Sequence, residues 1–328
     1  MKNYFKTIVK YSLILGLCAF PVSCEEYLDV SPDTLISDQE AFENFTKFQG
    51  FTEELYQTIP DFTNGYWTNS WNWGEDEIQS SARDFHFVCK IDNGNLWGWQ
   101  SQHDGWQAGW MNRNNVSTNT NRFNKDLWTL GWAGIRKANI GLANIDKLTD
   151  ATQEEKDLIK GQLLFFRGWF HFQFIQYFGG LPYIDTVLPS DQPLTLPRLS
   201  YAECAEKAAA DFRMAADLLP LDWDNTTVGK RTLGKNALRI NKIMALGYLG
   251  KNYLWAGSPL MNKESTGSAT YNAEFCKKAA KAFGELLTNT ESGNTKHALL
   301  PFANYSDNFH TTGKNWEIPG GTEAIFRG

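Results

Sequence analysis

The stretch Gln162-Leu163-Leu164-Phe165-Phe166-Arg167-Gly168-Trp169-Phe170-His171-Phe172-Gln173-Phe174-Ile175-Gln176-Tyr177-Phe178-Gly179-Gly180-Leu181-Pro182 decides how the rest of the chain is read. With Ile159 upstream, Leu163, Phe166, Phe170, Phe174 and Tyr177 fall on one stripe at helical spacing. Gly179-Gly180 and Pro182 end the helix. At the other end Thr152-Gln153-Glu154-Glu155 is a capping box, in which hydroxyl and carboxylate satisfy each other's free N–H groups.

The same signals recur on both sides. Ser37-Asp38-Gln39-Glu40 is another box, and the helix behind it is expected to bury Phe42, Phe45, Phe48, Leu55 and Ile59. Helical order returns at Trp128, Trp132, Ile135, Ala138, Leu142 and Ile145. Ser200-Tyr201-Ala202-Glu203 opens a helix through Ala205, Ala208, Ala209, Phe212, Ala216 and Leu219, stopped by Pro220. Further helices are predicted over about 236–256 and 272–287, with Cys204 and Cys276 as buried thiols. Small residues alternate with large ones on these stripes, which lets helices approach closely, as in tetratricopeptide-type pairs. No strict 34-residue period is visible, so the pattern supports a mainly α fold, an array of divergent helix pairs. Glu323-Ala324-Ile325-Phe326 reads as the start of a strand.

Residues 61–125 lose the helical period and read as long loops. They concentrate tryptophan: seven of the chain's 13 lie within residues 67–110. The others divide off a core group on helices, such as Trp128, Trp132, Trp169 and Trp255. A core alone gives little reason to concentrate Trp in a polar, Gly/Asn-rich segment.

The chain has 328 residues and a net charge of −6, which argues against a nucleic-acid binder. Residues 1–23 read as a signal peptide: Lys2, Lys6 and Lys10 precede a short apolar run over residues 11–20. Ser23-Cys24 is the pattern of a bacterial lipoprotein signal, with Cys24 lipidated. Pro21 stands where such signals usually carry Leu, and an ordinary secretory signal is the alternative. Removing residues 1–23 takes away three Lys and no acid, leaving 28 basic residues against 37 acidic ones, a charge of −9. Residues 24–36 are then a tether and 37–328 the folded domain.

Four segments closely resemble the SusD/RagB family of surface glycan-binding lipoproteins of Bacteroidetes. They are residues 162–182, 241–260, 24–32 and 128–139, in family order. The resemblance implies an α/α superhelix of tetratricopeptide-like pairs with long loop insertions. It implies a lipid-anchored, surface-exposed place on the outer membrane, and a partner, a SusC-like TonB-dependent transporter, to which oligosaccharide is delivered without catalysis. Family chains usually run well past 328 residues, so the sequence reads as the N-terminal part of such a domain, lacking the C-terminal part.

A neutral sugar offers an apolar C–H face for aromatic rings and hydroxyls for amides and carboxylates. Leu96-Trp97-Gly98-Trp99-Gln100-Ser101-Gln102 offers both. It resembles a family segment whose second Trp is a glycan platform. That role maps onto Trp99, and a polar ligand onto Gln102, with Arg83 as a looser match and Trp97 beside them. Trp71 and Trp73 alternate with polar residues and are further candidates, as are Tyr305 and Trp316 in the late loop region. The bland reading of each is packing of loops on helices. No catalytic residue and no metal centre is predicted. Asp76, Glu77, Asp84 and Asp104 could supply a glycosidase pair only if folding brings two of them together. His171 reads as a satisfied core residue, and no paired His spacing for a metal is present. A calcium site at Asp92-Asn93-Gly94-Asn95 competes with a simple turn. Three functions remain: glycan capture, a structural partner of the transporter that binds no sugar, and a surface glycosidase.

Overall fold

The structure is a computed structural model that describes residues 38–59, 127–189, 191, 195–306 and 322–325. The chain divides into two compact units, 1–41 and 42–328. Of the first, the described residues form the opening of helix α1 (Asp38–Phe42). The second contains α2 (Phe45–Glu53), α3 (Leu127–Ala143), α4 (Gln153–Phe178), α5 (Tyr201–Leu218), α6 (Lys242–Ala256), α7 (Pro259–Thr266) and α8 (Ala273–Glu291). Among the described residues there is no strand, only a single parallel bridge between Asn44 and Asp150.

The helices stack largely in chain order. α3 packs on α4, α4 on α5, α5 on α6 and α6 on α8, while the short α7 sits against α5 and α6. Contact mainly between sequence neighbours is the logic of a helical-repeat array. The fold is therefore mainly α, built of tetratricopeptide-like pairs. The middle helix shows why. Sixteen of the 26 residues of α4 are buried, so it is covered on every side rather than along one stripe. Its Phe170 and Phe174 rings lie against α3 where Gly134 and Gly131 leave room. A Cβ on either glycine would sit 2.3–2.5 Å from a ring atom, so only glycine permits this approach.

Local signals held where they were self-contained. The boxes at Thr152 and Ser200 both form, each hydroxyl accepting from the N–H three residues on and each Glu accepting the return bond. Ser37 lies outside the described residues. Gly179 ends α4 with φ +71°, a conformation glycine adopts without a Cβ penalty.

Several expectations need correction. The helix read across Phe42 to Ile59 is broken: Asn44 is extended and caps α2 anew, and a 3-10 turn follows over Glu54–Thr58. Phe45 is consequently only half-buried, whereas Phe42, Phe48 and Leu55 are core. The helix expected from about 236 starts at Lys242. Asn236 is engaged in a turn, its amide donating to Asp224 and to the Gly229 carbonyl, and Asn241 supplies the cap. The last helix runs on to Glu291, and α7, capped by Ser258, was not foreseen. Residues 323–325 form no strand; Ile325 instead lies over Gly247 of α6. Of the proposed core tryptophans, Trp169 is buried, while Trp128, Trp132 and Trp255 are half-buried. Trp223 is a core residue the periodicity missed, its indole N–H donating to the Ile240 carbonyl at 2.8 Å. Cys204 is buried and Cys276 only partly so; both are free thiols.

Candidate functional site

Of the residues singled out for binding, Tyr305 lies in the described structure. Trp71, Trp73, Arg83, Trp97, Trp99, Gln102 and Trp316 lie outside the described residues, as do the lipidation residue Cys24, the acids Asp76, Glu77, Asp84 and Asp104, and the turn at 92–95.

Tyr305 sits on a segment that leaves the C-terminal end of α8 and is fastened back onto the array. Gly293, with φ +73°, turns the chain away from α8. Lys296 forms ion pairs with Asp224 and, at 3.6 Å, with Asp222. His297 meets Asn241 at 3.0 Å. The Ala298 N–H donates to the Thr322 carbonyl at 3.1 Å, and the Leu300 N–H to the Glu323 carboxylate at 3.2 Å. Hydrogen bonds from Lys296 and Asn236 hold the Asp224 carboxyl below its usual range. A small cavity of about 30 Å³ lies between the end of α8, residues 297–299 and residues 322–325.

Past Pro301 the chain makes a 3-10 turn, Phe302–Asn304. Side chains three apart eclipse in such a turn, so Phe302 and Tyr305 align. Their rings are 6.2 Å apart at 16°. Phe302 is 90% exposed and Tyr305 49%. An exposed, near-parallel aromatic pair suits the C–H face of a sugar. Phe302 escaped the sequence reading. The signal that could have found it is the i, i+3 aromatic spacing directly after Pro301.

The polar groups buried nearest the middle of the array are structural. Arg167 grips Asp211 with both Nε (2.7 Å) and Nη2 (2.6 Å), while its Nη1 donates to Asn139 and to the Asp185 carbonyl. Asp211 also accepts from the Tyr183 hydroxyl at 2.7 Å, and Asn139 donates to the Ile184 and Thr186 carbonyls. This clamp docks the chain after α4 onto α3 and α5. His171 completes it: Nε2 accepts the Ile184 N–H at 3.0 Å, so Nδ1 carries the proton and donates to the Arg167 carbonyl at 2.8 Å. Burial pushes its pKa down to about 3, and the ring stacks on Tyr183 at 3.7 Å. It is the satisfied core histidine expected, and the side chains of the clamp are spent on one another and on the chain after α4. Among the described residues no three His, Cys, Asp or Glu side chains gather to hold a metal ion. Among the same residues no helix is long and apolar enough to cross a membrane.

A SusD homologue from Bacteroides thetaiotaomicron VPI-5482 aligns over 80% of this chain at 21% identity, with a TM-score of 0.55. SusD-like carbohydrate-binding proteins from Bacteroides vulgatus ATCC 8482 and Bacteroides fragilis NCTC 9343 align over 87% and 81%, at 16% and 19% identity and TM-scores of 0.53 and 0.50. At such identities the likeness is one of fold. The chain spans 43–50% of the length of these three structures. No curated protein is a significant match. Residues 26–254 match the SusD-like family model described as starch-binding associating with outer membrane, and the chain belongs to that family.

Proposed function

We propose that the protein captures oligosaccharide at the cell surface and presents it to a SusC-like TonB-dependent transporter of the outer membrane. Family membership supports this reading, and the exposed Phe302–Tyr305 pair is the observation that carries it. Capture needs no covalent chemistry. Aromatic faces supply affinity, side-chain amides and carboxylates read the hydroxyls, and lipid on Cys24 keeps the binder beside its transporter. Trp99 is the principal platform in this proposal. Gln102 and Arg83 act as polar ligands, and Trp97, Trp71, Trp73, Tyr305 and Trp316 provide further aromatic surface.

The test is affinity electrophoresis and calorimetry of the full chain against a panel of neutral polysaccharides. Trp99→Ala should weaken binding about tenfold, the scale of one lost aromatic contact. Phe302→Ala should weaken it by a smaller factor, with unchanged circular dichroism in both variants. Absence of binding to every glycan would leave the structural-partner reading in possession. Release of reducing sugar that disappears on replacing an acid would make the protein a glycosidase.

A further inference from the structure

The segment that carries the aromatic pair passes the N-terminus of α6, and the contact there depends on protonation. Asn241 is buried, and its Oδ1 accepts the Met244 N–H at 3.0 Å as the cap of α6. That leaves the amide nitrogen, which has only hydrogens to offer, 3.0 Å from His297 Nε2. Nε2 must therefore accept, and the imidazole is neutral with its proton on Nδ1. Protonation would place a second N–H against the amide. Rotating the amide to offer oxygen would uncap α6.

We infer that Asn241 and His297 form a pH-sensitive latch that helps to hold residues 294–305 on the array at neutral pH and loosens them on acidification. Histidine is the side chain type that changes charge in the physiological range, whereas the Lys296 ion pair of the same segment does not. Lys296 is raised and Asp224 lowered, chiefly by their mutual hydrogen bond, so that pair stays charged through the window. The charged groups around the latch can be named among the described residues. On its own segment is Lys296, paired with Asp222 and Asp224 of the preceding turn. On α6 is Lys242, next to the cap, together with the positive end of the helix. From residues 322–325 comes Glu323, which lines the same cavity as His297. From α8, Leu286 and Thr290 line that cavity and are uncharged. Glu323 attracts an imidazolium; the lysines and the helix end oppose one.

The consequence for ligand rests on the platform reading above, because the latched segment carries Phe302 and Tyr305. The latch itself does not rest on it. Hydrogen exchange of the full chain at pH 7.5 and 5.5, corrected for intrinsic rates, reads it directly. Wild-type amides of residues 295–305 should exchange about five- to tenfold faster at pH 5.5, the scale of one lost hydrogen bond. Peptides of α4 report the separate loss of global stability that His171 brings on acidification, so the segment's acceleration is read in amides that exchange faster than those of α4 at both pH values. Asn241→Asp keeps the cap and offers its second oxygen to a protonated Nε2, so protection should hold or rise at pH 5.5. Equal protection of the wild-type segment at both pH values would overturn the latch, as would the same loss in Asn241→Asp. The wild-type comparison needs no variant, so a misfolded mutant does not rescue the idea. If exchange responds to pH and glycan affinity does not, the latch stands and the platform reading fails.

Discussion

Replacing Arg167 with Met tests whether the clamp is a buried ion pair or a solvated one. The side chains of Arg167 and Asp211 are 11% and 3% exposed, and the contact is bidentate. Removing the guanidinium leaves a carboxylate out of water with one remaining partner, the Tyr183 hydroxyl. Breaking a buried pair from one side costs about 3–5 kcal/mol. Asp211→Leu strands the guanidinium and costs a similar amount. If the two costs were independent, the double variant would lose about 6–10 kcal/mol. That is comparable to the whole ~5–15 kcal/mol of an ordinary domain. Because the double variant leaves neither charge behind, it should lose only about 3–5 kcal/mol, part of it from the unpaired Tyr183 hydroxyl and Asn139 oxygen. The assay is urea denaturation of the four proteins, with limited proteolysis of residues 183–188 as a local readout. A single Arg167→Met loss below about 1 kcal/mol would match a surface pair and refute the burial argument. A double variant whose loss equals the sum of the two single losses would refute the coupling.

Two further outcomes follow from the same packing. His171 is neutral in the fold, its pKa lowered to about 3 by burial, so the unfolded chain takes up its proton first on acidification. The stabilisation is complete above the ordinary pKa near 6.5 and is lost as pH falls toward 3, by up to about 1.4 kcal/mol per pH unit. Urea midpoints between pH 7 and 5 should therefore fall less steeply in His171→Gln, and identical slopes would count against the assignment. A Cβ at Gly250 would lie 2.5 Å from the Phe283 ring, whereas one at Gly284 meets nothing within 4 Å. Gly250→Ala should thus destabilise by about 1–3 kcal/mol, and Gly284→Ala, in the interior of α8, should stabilise by about 0.5–1 kcal/mol. Thermal unfolding that ranks the two variants the other way would contradict the packing of α6 on α8.

The candidate site was only partly legible. Tyr305 stands in the sequence as a late-loop aromatic, but its partner Phe302 does not, because eclipsing at i and i+3 requires knowing that the turn is 3-10. Asn236, Asn241 and Asn272 all precede helical patterns. Asn241 and Asn272 cap helices, while the Asn236 side chain is drawn into the turn at 224–229 by partners remote in pattern though near in space. Likewise Glu323 to Ile325 has the composition of a strand, yet no strand pairs with it among the described residues, and Ile325 is taken by Gly247.

What the sequence alone determined was whatever a few adjacent residues can decide: the boxes at Thr152 and Ser200, the glycine stop at Gly179, the succession of helices and the family they mark. These rest on backbone hydrogen bonds and torsions within one turn of chain. The tertiary structure decided what depends on groups far apart. It buried α4 on all sides and turned Arg167 into a clamp across 44 residues to Asp211. It also set His297 against an amide 56 residues away whose oxygen was already committed. Burial, ion pairing and the direction of a hydrogen bond depend on which surfaces exclude water together, and one-dimensional order does not specify that.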